Sequence, residues 1–270
     1  MKKRILVLLM ILIALTANCF AQDNYFVKQE LDKRTTVGVG AWMIMPNGTA
    51  KGTWNGIYNS MDFRSTLGMQ NFTALVPMLS FKINNDSSLY FDYFSVDQSF
   101  SNSLGVGNGN FWWKGVFFPI GNVAQTRLRC TFADAIYRKN WFKSEDGEIN
   151  LGVGIKYGGF ALNILNVTQN AGTHTAYTAV IPVIDVSGKK KLSNNFSGIA
   201  SINLMGGASG PIQGNIMDLN AGFNWAFSPN WGMDLSYRWF AINGSSNASL
   251  GAPNISANMS GPQAIVKASF

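Results

Sequence analysis

Apolar and polar side chains change places at every second position through much of this chain. The stretch MDLNAGFNWAF (217–227) puts Met217, Leu219, Ala221, Phe223, Trp225 and Phe227 on one face, with Asp218, Asn220, Gly222, Asn224 and Ala226 on the other. After the turn SPN, WGMDLSYRWFA repeats the pattern, setting Trp231, Met233, Leu235, Tyr237, Trp239 and Ala241 against Gly232, Asp234, Ser236, Arg238 and Phe240. A period of two marks a β-strand, whose successive side chains point to opposite faces. The same period runs less cleanly through Val37–Met45, Leu75–Ile83, Leu89–Tyr93, Arg127–Phe132, Ile149–Tyr157, Val180–Val186, Phe196–Leu204 and Pro262–Phe270. In Arg127–Phe132 the apolar set is Leu128, Cys130 and Phe132. Beyond Ala133 that segment loses phase, as at a β-bulge.

The connections between these segments sort into two kinds that alternate in order. Short polar turns fall near 84–88, 143–148, 189–195 and 228–230. Longer links fall near 46–70, 98–122, 168–176, 207–213 and 244–256. Tight turns at one end and long loops at the other are the arrangement of a membrane barrel.

Composition sharpens this reading. Apolar residues make up 47% and charged residues only 13% of the chain, against about 25% charged in a typical soluble domain. No segment after the N-terminus approaches the roughly 18 consecutive apolar residues of a membrane helix. A chain this apolar without such a helix spreads its apolar side chains around a closed barrel, where every backbone group is paired. The expected fold is all-β: a transmembrane antiparallel up-and-down barrel of about ten strands, within bounds of eight to twelve. Eight follows if weak strands merge, and twelve if NFWWKGVFFPIG (110–121) joins the wall as a hairpin.

The N-terminus supplies an export signal. Lys2, Lys3 and Arg4 precede the apolar run Ile5–Leu15, and Cys19 and Ala21 are small residues suited to cleavage after Ala21. Residues 1–21 therefore read as a signal peptide and 22–270 as one barrel domain. Removing three basic residues lowers the net charge from +7 to +4, with no concentrated basic patch for nucleic acid. Cys130 is then the only cysteine, which excludes an internal disulfide, and no cluster suggests a metal or another cofactor.

Candidate chemistry lies on the faces opposite the apolar sets. On this reading Lys82, Arg127, Arg129, Lys156, Arg238 and Lys267 face the lumen, together with Asp92, Asp185, Asp218 and Asp234. Such groups either zip into a polar plug or line a narrow pore with a weak preference for anions. Asp218 and Arg238 stand on adjacent strands and suit one another as partners. The single histidine, His174, lies in the 168–176 link without a fixed nucleophile spacing, so a surface hydrolase is the lesser alternative. The aromatic run Phe111, Trp112, Trp113, Phe117 and Phe118 marks a binding surface, an interfacial contact or a cap on the barrel mouth.

The final strand carries a resemblance. Pro262, Ala264, Val266, Ala268 and Phe270 alternate with Gln263, Ile265, Lys267 and Ser269. This resembles the C-terminal signature of bacterial outer-membrane proteins, an alternating strand that ends in phenylalanine. MDFRSTLG (61–68), FDYF (91–94) and GEINLGVGIKY (147–157) are similar to elements of small outer-membrane β-barrel proteins. The resemblance implies a bacterial outer-membrane location, contact with outer-membrane lipids and recognition of the last strand by the barrel assembly machinery. It implies no activity and no external ligand. The function expected is non-enzymatic: a structural, surface-interaction or limited passive-transport role, with a narrow pore as the main alternative.

Overall fold

A computed structural model describes residues 33–54, 57–105, 110–209, 212–246 and 254–270. The signal peptide expected at 1–21 lies outside the described residues. The described chain is all-β, with thirteen strands: β1 (Thr35–Trp54), β2 (Ile57–Asp62), β3 (Phe72–Asn84), β4 (Ser87–Ser103), β5 (Phe111–Trp113), β6 (Val116–Phe118), β7 (Val123–Ser144), β8 (Gly147–Asn166), β9 (Ala171–Lys191), β10 (Phe196–Ser209), β11 (Ile212–Ala226), β12 (Trp231–Ser246) and β13 (Asn254–Ser269). The strands β1, β3, β4 and β7 to β13 make a ten-stranded antiparallel wall. Pairing of β13 with β1 closes it, running from Thr36↔Ser269 to Lys51↔Asn254. At the lower end Phe270 donates its N–H to the Thr35 carbonyl at 2.8 Å and accepts from the Arg34 N–H at 2.8 Å.

The wall is much taller than a membrane. β7 has 22 residues, or about 70 Å along the strand, whereas about 9–11 tilted residues cross a bilayer. Three of the expected longer links are largely strand. β1 and β2 pair from Thr49↔Asp62 to Trp54↔Ile57 inside 46–70. β9 begins at Ala171 inside 168–176, and β10 runs to Ser209 inside 207–213.

Along each long strand the two faces exchange chemistry. On β8, Ile149, Leu151, Val153 and Ile155 point outward and are exposed, yet farther up Leu162 and Ile164 are buried inside. On β4, Phe91 and Tyr93 point out while Phe94 and Val96 point in. The lower part is patterned for lipid outside, and the upper part for water outside and an apolar core within. This exchange explains β7, where pairing with β8 passes through Ala133↔Tyr157 without interruption. No bulge lies there; its irregularity falls between Asn140 and Phe142.

Two seams interrupt the ladder in the upper half. The β3–β4 pairing ends at Met78↔Asp92 and the β9–β10 pairing at Val183↔Met205. The next residue on β3 is Pro77 and on β9 is Pro182, and a proline has no N–H to continue a ladder.

Two inserts fill the mouth. Between β2 and β3 the chain leaves the wall in a compact turn that buries Phe63, Leu67 and Met69. Asp62 Oδ1 ties the turn by accepting from the N–H groups of Arg64 (2.9 Å) and Ser65 (2.7 Å). The β5–β6 hairpin is a separate two-stranded sheet, turned by Lys114 (φ 45) and Gly115 (φ 83). Both central residues with positive φ define the tight hairpin turn that suits strand twist. Trp112 N–H donates to Asn59 Oδ1 (2.9 Å) on one side, and Asn166 Nδ2 donates to the Phe117 carbonyl (3.1 Å) on the other, so the hairpin lies across the opening.

Gly261 is needed at the closing seam. Its φ is +156, and a Cβ there would sit 1.8 Å from the Met43 carbonyl oxygen on β1. Gly261→Ala is expected to destabilise the closed barrel by about 1–3 kcal/mol or more. The check is the fraction of refolded protein that migrates as a compact band on an unheated gel.

Candidate functional site

The candidate site is the lumen where the apolar outer band surrounds it. Five ionic side chains from β4, β7, β8, β11 and β12 meet there. Arg238 donates from Nε to Asp218 Oδ1 (2.9 Å) and from Nη2 to Asp218 Oδ2 (2.6 Å). The same Nη2 lies 3.1 Å from Asp92 Oδ2. Lys156 Nζ lies 2.7 Å from Asp134 Oδ2 and 3.2 Å from Asp218 Oδ2. All five residues are buried, Lys156 completely. Three carboxylates and two cations thus bridge the barrel from one wall to the other. Strand geometry aims them: Asp92↔Asp134 and Asp134↔Lys156 are direct cross-strand neighbours.

An aromatic layer sits on this ionic layer. Phe94 packs against Trp42 (5.2 Å between centroids), Phe132 (5.1 Å) and Phe240 (5.5 Å). The Arg238 guanidinium lies 5.1 Å from the ring centroids of both Trp42 and Phe94, close enough for attraction to the ring faces. Above come the apolar core and the cap hairpin, whose Phe111, Trp113 and Phe118 are buried.

Below the ionic layer the interior is polar. Arg138 makes a two-bond pair with Asp185 (2.7 and 3.0 Å), its guanidinium 3.9 Å from the Tyr90 ring centroid. Asp234 accepts from Asn224 Nδ2 (2.8 Å) and pairs with Lys267 (2.8 Å). Tyr90, Arg138, Asp234 and Lys267 border a cavity of about 220 Å³ at the lower end, where Lys33, Arg34 and Lys82 also face.

Of the residues singled out by alternation, Asp92, Lys156, Asp185, Asp218, Asp234, Arg238 and Lys267 occur in this interior, and Lys82 lines the lower cavity. Asp218 and Arg238 are paired directly. Arg127 and Arg129 require correction, because they project outward. Arg127 pairs with Asp97 through Nε–Oδ1 (2.8 Å) and Nη2–Oδ2 (2.7 Å), while Arg129 Nε lies 3.3 Å from Oδ2. Leu128, Cys130 and Phe132 fill the core instead. The cause is the exchange of faces: above the lipid band, apolar side chains turn inward and charges outward. On this exposed stretch the Arg127 hydrogen bond holds the Asp97 carboxyl below the ordinary carboxylate range.

Two interior ionic residues were missed, Asp134 and Arg138. Their signal lay in the lower half of β7, where Ala133, Ala135 and Tyr137 alternate with Asp134, Ile136 and Arg138. His174 is exposed on β9, its Nδ1 hydrogen-bonded to Asn163 Oδ1 and its carbonyl 3.4 Å from Lys114 Nζ.

A closed ten-stranded wall with an apolar outer band and a polar interior is the fold of the bacterial outer-membrane β-barrels. Among solved structures, the chain is similar to the outer-membrane protease OmpT of Escherichia coli, with a TM-score of 0.52, 10% identity and coverage of 87% of this chain and 97% of that one. The toluene transporter TodX of Pseudomonas putida aligns with a TM-score of 0.39 at 9% identity, covering 92% of each chain. The translocator domain of the autotransporter NalP of Neisseria meningitidis gives 0.40 at 10%, covering 90% and 92%. At these identities the likeness is one of fold alone. No protein-family model and no curated protein sequence matches the chain.

Proposed function

We propose that this protein is an integral, non-enzymatic outer-membrane barrel with a closed lumen, whose projecting upper half serves as a surface-interaction platform. The observation that carries this reading is the buried Asp92–Arg238–Asp218–Lys156–Asp134 layer. A permeating ion would have to separate pairs of 2.6–3.2 Å, and breaking a buried pair costs about 3–5 kcal/mol. The aromatic layer and the cap hairpin add two further barriers. Against catalysis stand the mouth, where apolar side chains occupy the space a substrate would take, and the exposed His174 on β9, whose ring faces Asn163 rather than a carboxylate.

The reading extends to export and assembly. Cleavage after Ala21 releases the mature chain, outer-membrane lipids cover the band from Ile149 to Tyr157 and its neighbours, and the assembly machinery engages β13. The testing experiment is conductance of the refolded mature barrel in a planar bilayer, after a heat-dependent gel shift has established folding. The expected result is a baseline current without steps. Discrete, reproducible steps would overturn the closed lumen and make the interior Lys, Arg and Asp residues determinants of ion selectivity.

A further inference from the structure

The outward positions of β4, β7 and β8 change chemistry rung by rung. Tyr93, Ala133 and Tyr157 pair across the three strands, and exposed tyrosines are characteristic of the membrane–water boundary. The next outward rung is Ser95, Thr131 and Gly159, with the two hydroxyls 3.2 Å apart. Above it come Asp97, Arg129 and Ala161, then Ser99, Arg127 and Asn163. Two residues of a tilted strand raise the wall by about 5 Å. The Arg129 backbone therefore stands roughly 10 Å above the tyrosine rung and Arg127 roughly 15 Å. A long arginine side chain bends back toward an interface, so both guanidinium groups reach the depth of lipid headgroups.

The charges there do not balance, since one carboxylate faces two guanidinium groups. Arg127 takes both Asp97 oxygens, and Arg129 has one 3.3 Å contact to an oxygen already engaged. The Arg127 and Arg129 side chains are 46% and 51% exposed. A cross-strand ion pair explains one of these arginines and leaves the second in surplus. A planar guanidinium with donors to spare matches the oxygens of a phosphate.

We propose that Arg129, with Arg127 beside it, binds the phosphate of an anionic lipid headgroup in the leaflet nearest the long-strand end of the barrel. Asp97 is a positioning residue that holds Arg127 and reduces the charge offered to the lipid. The occupant is a lipid because the tyrosine rung directly below fixes the site at the bilayer edge, where the acyl chains continue down the apolar band.

Native mass spectrometry of the full folded barrel in detergent, titrated with phosphatidic acid, tests this. Diacylglycerol with the same acyl chains is the phosphate-free control. The Arg127→Gln/Arg129→Gln variant is expected to bind phosphatidic acid roughly thirtyfold more weakly, and Asp97→Asn roughly fivefold more tightly. All three side chains are exposed, and the gel shift verifies folding of each variant. Equal retention by the double variant, or unchanged or weaker binding by Asp97→Asn, overturns the proposal. So does equal retention of diacylglycerol. Displacement by an equal concentration of inorganic phosphate would assign the site to a soluble anion and overturn the lipid.

Discussion

Arg238→Ala is expected to cost the barrel about 3–5 kcal/mol. The arginine holds Asp218 with two hydrogen bonds and is the ion-pair partner of Asp92. Asp92 Oδ1 has no hydrogen-bond partner, and among the described residues Asp92 has no other ion pair. Removing the guanidinium leaves three buried carboxylates facing Lys156 alone. Arg238→Lys keeps the charge but loses the two-pronged geometry, so it is expected to recover only part of the loss. Urea unfolding of lipid-reconstituted protein, followed by the gel shift, measures both. A loss under about 1 kcal/mol for the alanine variant would mean that water enters and solvates the carboxylates, at the level of a solvent-exposed pair.

Phe94→Ala should be nearly as damaging, by about 3–5 kcal/mol, because it opens a cavity in a packed layer. The ring touches Trp42, Phe132 and Phe240 and lies beside Arg238. Phe94→Leu retains most of the volume and is expected to cost about 1–2 kcal/mol. The same unfolding assay distinguishes them. Conductance should stay at baseline for Phe94→Ala, since the ionic layer beneath is intact. Steps in that variant would place the seal in the aromatic layer instead.

The lower half of the barrel was legible in the alternation because lipid imposes one rule there. Apolar side chains face out, as in Phe223 and Leu235, and polar ones face in, as in Asp218 and Arg238. The pairing of those two follows from adjacency of β11 and β12. In the upper half water replaces lipid outside, and the rule reverses. Phase read from hydrophobicity alone then assigns Arg127 and Arg129 to the interior and hides Asp134 and Arg138 on the same strand. The first part of the stretch that looks like a loop at 46–70 is wall for the same reason: Thr49, Lys51 and Thr53 on β1 face water rather than lipid, so the strand carries no lipid signature there. The β5–β6 hairpin escaped assignment to the wall because three-residue strands are too short to establish a period. Its aromatic content left a binding surface, an interfacial contact and a cap all open, and contacts such as Trp112 with Asn59 position it over the mouth.

The exchange of faces also fixes a length. On β8 the outward apolar run from Ile149 to Tyr157 covers about 26 Å of strand, or about 20 Å of height at a tilt near 40°. A hydrocarbon layer of about 30 Å would overhang that band and bring lipid tails against the rung of Asp97 and Arg129. Each ångström of mismatch costs a fraction of a kcal/mol, so the penalty amounts to a few kcal/mol. Thickness alone therefore sorts this barrel toward a thin membrane, independently of any receptor that reads its last strand.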